Sequence, residues 1–161
     1  MQHKINISID DVSPHSESSV KVLEQCYDLI KEFIKMSSKY AKVEVYYIFN
    51  KTIAKAQTIG EKEAQQSYSD TYEPLLKGYN IALDVLGKKI DSYAFSKILD
   101  GKNEVNFFIG GAYGFKRDFL KKCDSIISLS DLTMAHKIAN IVLAEQIFRG
   151  LCIKNNHPYH K

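Results

Sequence analysis

The chain has no tryptophan, three prolines, three cysteines and a net charge of only +3 across 161 residues. Each scarcity narrows the field. Cys26, Cys123 and Cys152 are odd in number and scattered, which argues against a disulfide framework and for reduced core thiols in a cytoplasmic protein. No apolar run approaches the roughly 20 residues of a membrane span, and the N-terminus has no signal-peptide core, so a membrane partner is not expected. The mild charge permits an RNA partner without demanding one. The five histidines include His157 and His160, three apart, but no cysteine or acidic cluster completes a site near them. No metal is therefore expected. There is no nucleophile elbow, no Walker loop, no internal repeat and no low-complexity segment.

What is present is an ordinary globular composition, 45% hydrophobic and 25% charged, in a length that suits one domain. The most informative stretch runs from Val105 to Gly150. An apolar run, Val105 to Ile109, ends on Gly110-Gly111, with Gly114 close behind. A second, Ser125 to Leu129, enters the polar turn Ser130-Asp131-Leu132-Thr133 and then a long amphipathic helix pattern. Ile81 to Gly87 has the same shape: a buried strand, a polar residue, a glycine. Three strand ends of this kind can converge on one pocket. GGxxG lacks the spacing that seats a pyrophosphate on a helix N-terminus, so a ligand without phosphates, held by backbone groups, fits better.

The rest of the pattern alternates strands with helices. Ile5, Ile7 and Ile9 mark a first strand. The polar segment Asp10 to Ser19 reads as a loop delivering a serine N-cap to a helix over Val20 to Met36. Ala41 to Phe49 is a β-branched and aromatic strand. Lys51 to Lys77 reads as an exposed helix disturbed near Pro74. Then follow the strand Ile81 to Val85, a helix Ser92 to Leu99 capped by Asp91, the strand Val105 to Ile109, and a basic helix Phe115 to Lys122. A strand Ile126 to Leu129 and a helix Ala135 to Leu151 complete the pattern. Its fold class is α/β with a largely parallel sheet. The apolar face of the last helix is wider than one side of a monomer needs, which predicts a dimer interface through Ala135 to Leu151. Glu145 interrupts that face, as a buried, hydrogen-bonded interface residue or an edge residue, with the structural reading favoured. The end of the chain, IKNNHPYHK, has two readings: a frayed terminus, or a substrate arm whose aromatic and imidazole groups meet bases and phosphates.

Together the pieces IALDVLGK (81 to 88), FFIGGAYG (107 to 114), ISLSDLTMAH (127 to 136), AEQIFR (144 to 149) and NHPYHK (156 to 161) resemble one family across essentially the whole chain. It is the RlmH-type ribosomal RNA large-subunit pseudouridine methyltransferases of the SPOUT (α/β-knot) superfamily. The resemblance implies transfer of a methyl group from S-adenosylmethionine to N3 of a pseudouridine in the ribosome, at the stem-loop facing the decoding centre. It implies a homodimer and a single domain, 1–161, with a deep trefoil knot at about 80–152 and a substrate tail at 153–161. Carried over by motif, the cofactor residues are Leu83, Gly110, Leu129, Ser130, Asp131, Leu132, Thr133 and Met134. His157, Tyr159 and His160 are the candidate catalytic residues, with either histidine as base or phosphate contact. Two departures stand out: Ala135 replaces the family's usual proline, and the segment Asp10 to Ser19 diverges. The competing functions are a non-catalytic ribosome- or RNA-binding member of the superfamily and a methyltransferase acting on transfer RNA.

Overall fold

The computed structural model describes residues 3–10, 17–48, 51–111 and 113–161, with the side chains of 17–23 left aside. The strands are β1 Lys4–Asp10, β2 Lys42–Ile48, β3 Tyr79–Lys89, β4 Glu104–Ile109 and β5 Ser125–Ser128. The helices are α1 Glu17–Ser37, α2 Lys51–Ile59, α3 Glu61–Tyr72, α4 Ser92–Leu99, α5 Arg117–Lys122 and α6 His136–Lys154, with a 3-10 turn at Glu73–Leu75. The strands form one sheet in the order β2-β1-β4-β3-β5, and every pairing is parallel. Parallel neighbours need crossover connections, which is why helices alternate with strands along this chain.

Side chains alternate across the sheet. Ile5, Ile7, Ile9, Ile81, Val105, Phe107, Ile109 and Ile127 face one way, onto Phe95 and Leu99 of α4 and Leu143, Ile147 and Leu151 of α6. Ala82 and Phe108 face the other way, onto Tyr68, Tyr72, Phe115 and Phe119. The result is helices on both faces of a buried parallel sheet. Asp91 caps α4 as its sequence position implies, accepting from the Ala94 amide at 2.8 Å.

Three expectations change. The segment 51–77 is not one exposed helix: it breaks at Gly60 into α2 and α3, and Ile53, Tyr68 and Tyr72 are fully buried against the second face of the sheet. The apolar face of α6 is broad because α6 contacts α1 and α4 as well as β1 and β4, so its width is used within the chain. The third concerns β3, which continues to Lys89. Leu83 and Lys88 both pair with Ile127 of β5, so Asp84 to Gly87 bulge out of the ladder. A Cβ on Gly87 would lie 2.6 Å from the Ile127 carbonyl carbon, so glycine lets the two backbones pass. Helix α1 begins at Glu17, so Ser18 and Ser19, expected in the loop that caps it, lie in its first turn; residues 11–16 before it lie outside the described residues.

Candidate functional site

Because β3, β4 and β5 run parallel, their C-terminal ends open on one edge of the sheet, the usual place for a ligand in an α/β fold. The loops there enclose a cavity of about 420 Å³. Leu83, Gly110, Leu129, Ser130, Leu132, Thr133 and Met134 line it, seven of the eight residues carried over by motif. Asp131 does not. Its side chain is exposed and forms an ion pair with Lys89.

Each loop is fastened from below. Leu83, Leu129 and Met134 rest on the core and form an apolar floor. The Ser128 hydroxyl donates to the Ser130 carbonyl at 2.9 Å, and the Leu132 amide donates to Ser130 Oγ at 3.0 Å, so the 128–132 turn is tied internally. The Ile109 carbonyl accepts from the buried Tyr72 hydroxyl at 3.1 Å, and burial pushes that phenol above its ordinary pKa, keeping it a donor. Gly111 lies against Asp10 and Tyr68: a Cβ there would fall on the Tyr68 hydroxyl and lie 2.9 Å from Asp10 Oδ2. Gln57 bridges the same two groups, donating to Asp10 at 3.1 Å and to Tyr68 at 2.5 Å.

Motif matching passed over Asp84, Tyr113 and Gly114, which also line the cavity. Asp84 stood inside the quoted piece IALDVLGK, but its position is set by the bulge, which the alternation of residues does not announce. Ala135 is the N-cap of α6 rather than its first helical residue, at φ −55° and ψ 140°. That φ is one proline adopts, so alanine keeps the geometry and loses only the preorganisation. No lysine or arginine lines the cavity among the described residues. An S-adenosylmethionine-like ligand, with a purine, a ribose and no phosphate, fits this lining of apolar side chains and backbone amides.

The tail is neither frayed nor at this cavity. Helix α6 ends in a Schellman turn: Asn156 takes φ +57°, its amide meets the Ile153 carbonyl at 3.3 Å, and the His157 amide meets that of Cys152 at 2.9 Å. The chain then folds back on α6. The Tyr159 ring sits 4.7 Å from that of Phe148, with the Arg149 guanidinium 4.7 Å from its centre. Glu145 Oε1 accepts from Tyr159 Oη at 3.0 Å and from Arg149 Nε at 2.9 Å, which bears out the structural reading of Glu145. Burial, reinforced by that bond, raises the Tyr159 phenol above its usual value, and the Glu145 bond raises Arg149. His160 Nδ1 lies 3.1 Å from Arg149, and its ring meets Tyr93 of α4 edge-on at 4.8 Å. Tyr159 and His160 are thus brought together with Glu145 and Arg149, and His157 Nδ1 accepts from the Tyr159 amide at 3.3 Å, while no residue of 153–161 lines the cavity of the same chain. All three cysteines are free. Among the described residues no helix is long and apolar enough to cross a membrane, and no cluster of three or more histidine, cysteine or carboxylate groups is placed to hold a metal.

Fold and cavity define an α/β protein with a pocket at the C-terminal ends of its parallel strands. A family model described as "Predicted SPOUT methyltransferase" matches residues 17–160. A protein of Aliarcobacter butzleri (strain RM4018), named ribosomal RNA large subunit methyltransferase H, is 83% identical over 133 residues, covering 83% of this chain and 88% of the relative. One of the same name from Sulfurovum sp. (strain NBC37-1) is 50% identical over 160 residues, covering 98% and 99%. The chain belongs to the SPOUT methyltransferase family, within the group whose curated members carry that name. Two solved structures share the fold. A probable methylase family protein from Haemophilus influenzae Rd KW20 has a TM-score of 0.58 at 12% identity, over 100% of this chain and 72% of that one. A putative RNA methyltransferase from Bacillus anthracis has a TM-score of 0.52 at 14% identity, over 96% of each.

Proposed function

We propose that this protein transfers the methyl group of S-adenosylmethionine to N3 of a pseudouridine in large-subunit ribosomal RNA, within the assembled ribosome, and does so as a homodimer in the cytoplasm. One observation carries the reading: seven residues of the family's cofactor motif, drawn from three separate stretches of sequence, meet in one cavity of ligand size, with no lysine or arginine among the described residues that line it. The donor supplies a methyl group already activated on a sulfonium, so the protein needs neither a metal nor a covalent intermediate. In this account Leu83, Leu129 and Met134 pack on the purine, and the backbone of 129–134 and Gly110 holds its polar edge. Knotting at about 80–152 belongs to the same proposal, as does the single domain, 1–161.

Removing the imide proton falls to His157 or His160 of the tail. Tyr159, whose phenol burial keeps protonated at neutral pH, is not a base; it donates a hydrogen bond or offers its ring to the substrate nucleoside. Since the tail does not line its own cavity, it serves the partner's, and the site is complete only in the dimer. Support for such an interface comes from large apolar side chains exposed around the cavity mouth: Leu86 at 93%, Leu132 at 75%, and Ile138, beside it on α6, at 45%. A cluster of this kind marks a contact surface. The test is methyl transfer from isotope-labelled donor to ribosomes, free large subunits, free ribosomal RNA and transfer RNA, all lacking the modification. Label entering assembled ribosomes supports the proposal. Label entering transfer RNA instead, or none entering while the protein still binds ribosomes, favours the transfer-RNA enzyme or the silent binder.

A further inference from the structure

Asp84 is the only carboxylate lining the cavity among the described residues, and no lysine or arginine lines it with Asp84. The residue sits on the bulge of β3. Its Oδ1 accepts from the Leu86 amide at 2.9 Å, which fixes the side chain. That bond leaves Oδ2 turned across the mouth toward the glycine turn after β4, where it lies 3.8 Å from the position a Cβ on Gly114 would take. No cation pairs with Asp84 among the described residues, unlike Asp131 on the facing loop, which holds Lys89. Arg117 and Lys121 line a neighbouring cleft that Asp84 also borders, but neither forms an ion pair with it. A half-buried carboxylate at a ligand cavity, oriented by its own turn and without an ion-pair partner among the described residues, favours a ligand with a positive charge.

We propose that Asp84 is a specificity-determining residue that favours the charged methyl donor over its neutral-sulfur product. This inference rests on the assignment of the cavity to S-adenosylmethionine. Donor and product share purine, ribose, ammonium and carboxylate, and differ by one methyl group and the sulfonium charge it confers. Apolar floor residues and backbone amides cannot distinguish the two strongly, because both molecules offer them the same groups. A fixed negative charge can. Its attraction for the ligand falls when the methyl leaves, so the spent product is held less tightly and the next donor displaces it.

The experiment is calorimetric titration of wild-type protein, Asp84→Asn and Asp84→Ser with S-adenosylmethionine and, separately, with S-adenosylhomocysteine. Both replacements keep an oxygen that can accept from the Leu86 amide, so the turn persists while the charge goes. Loss of one unit charge near the sulfonium is expected to weaken donor binding about tenfold, with product affinity unchanged within about twofold. Equal losses for both ligands, or no loss for either, overturn the proposal, since the charge would then act on the shared ammonium or on nothing. Wild-type protein that binds neither ligand overturns the cavity assignment itself. Should one variant fail to fold, the other gives the same comparison.

Discussion

Tyr159 donates its hydroxyl hydrogen to Glu145 Oε1 across 3.0 Å, which fastens the last aromatic residue of the chain to the middle of α6. Arg149 reaches the same carboxylate, and His160 reaches Arg149. Glu145 is therefore the anchor of a polar cluster holding Tyr159 and His160, and a tail that sequence alone leaves between a loose end and an arm is a docked element.

Truncation should then cost stability as well as activity. Tyr159→Phe removes one hydrogen bond and should lower folding stability by about 0.5–1.5 kcal/mol. Deleting 157–161 also uncovers Phe148, 6% exposed in the intact chain, and should lower the melting temperature further. Affinity for S-adenosylmethionine should change less than about twofold, because the tail lies away from the cavity of its own chain, while transfer to ribosomes disappears. Differential scanning calorimetry with donor titration checks both halves. Full transfer by the truncated protein would remove the tail from the chemistry.

Adjacent glycines should fail in different ways. At Gly110 a Cβ would meet the Phe115 ring at 3.3 Å and the Gly114 backbone at 3.4 Å, so Gly110→Val narrows the cavity and should abolish donor binding in protein that still folds. At Gly111 the Cβ falls on the buried Tyr68 hydroxyl, so even Gly111→Ala should destabilise the fold, by roughly 1–3 kcal/mol as overpacking does. Thermal melts and calorimetry on the pair separate the two effects.

Ile138→Asp should weaken the proposed dimer without unfolding the chain, since Ile138 is 45% exposed. Phe148→Asp is a different experiment: that ring is buried between Phe33 and Tyr159, and a carboxylate there should unfold the protein. Sedimentation velocity at micromolar concentration should show wild-type dimers and Ile138→Asp monomers. A monomeric wild type would contradict the dimer.

Much of this was legible because the signals are local. Strands β1 and β4 announce themselves through Ile5, Ile7 and Ile9 and through Val105 to Ile109, and the pocket loops through glycines and small polar residues at strand ends. Tyr68 and Tyr72 were not legible, set among Ser67, Ser69, Asp70 and Thr71 in a segment that looks exposed. Their burial depends on Gln57 and the Ile109 carbonyl, 11 and 37 residues away, and on Phe108 and Phe115. The breadth of the apolar face on α6 was visible, but not that α1 and α4 share it. Asp84 was visible as a letter, but its place at the cavity follows from a bulge set by the register of β3 on β5.

Stability should fall on mild acidification partly through His3. Burial, aided by Lys154, lowers its pKa below the ordinary 6.5. The unfolded chain therefore takes up a proton near that value, while the folded one waits for lower pH. Stability is insensitive to this group above about pH 6.5 and declines as pH drops toward the folded value. His3→Gln should flatten that part of the profile. Urea unfolding of both proteins at about pH 7.5 and about pH 5.5 checks the sign.

The most direct measurement is nucleoside analysis of ribosomal RNA by mass spectrometry, after incubating unmodified ribosomes with the protein and methyl-labelled S-adenosylmethionine. The account predicts one new labelled nucleoside, N3-methylpseudouridine, from the large subunit alone, formed by the wild type and absent with Gly110→Val. Label on any other nucleoside, or in RNA other than the large subunit's, would contradict it.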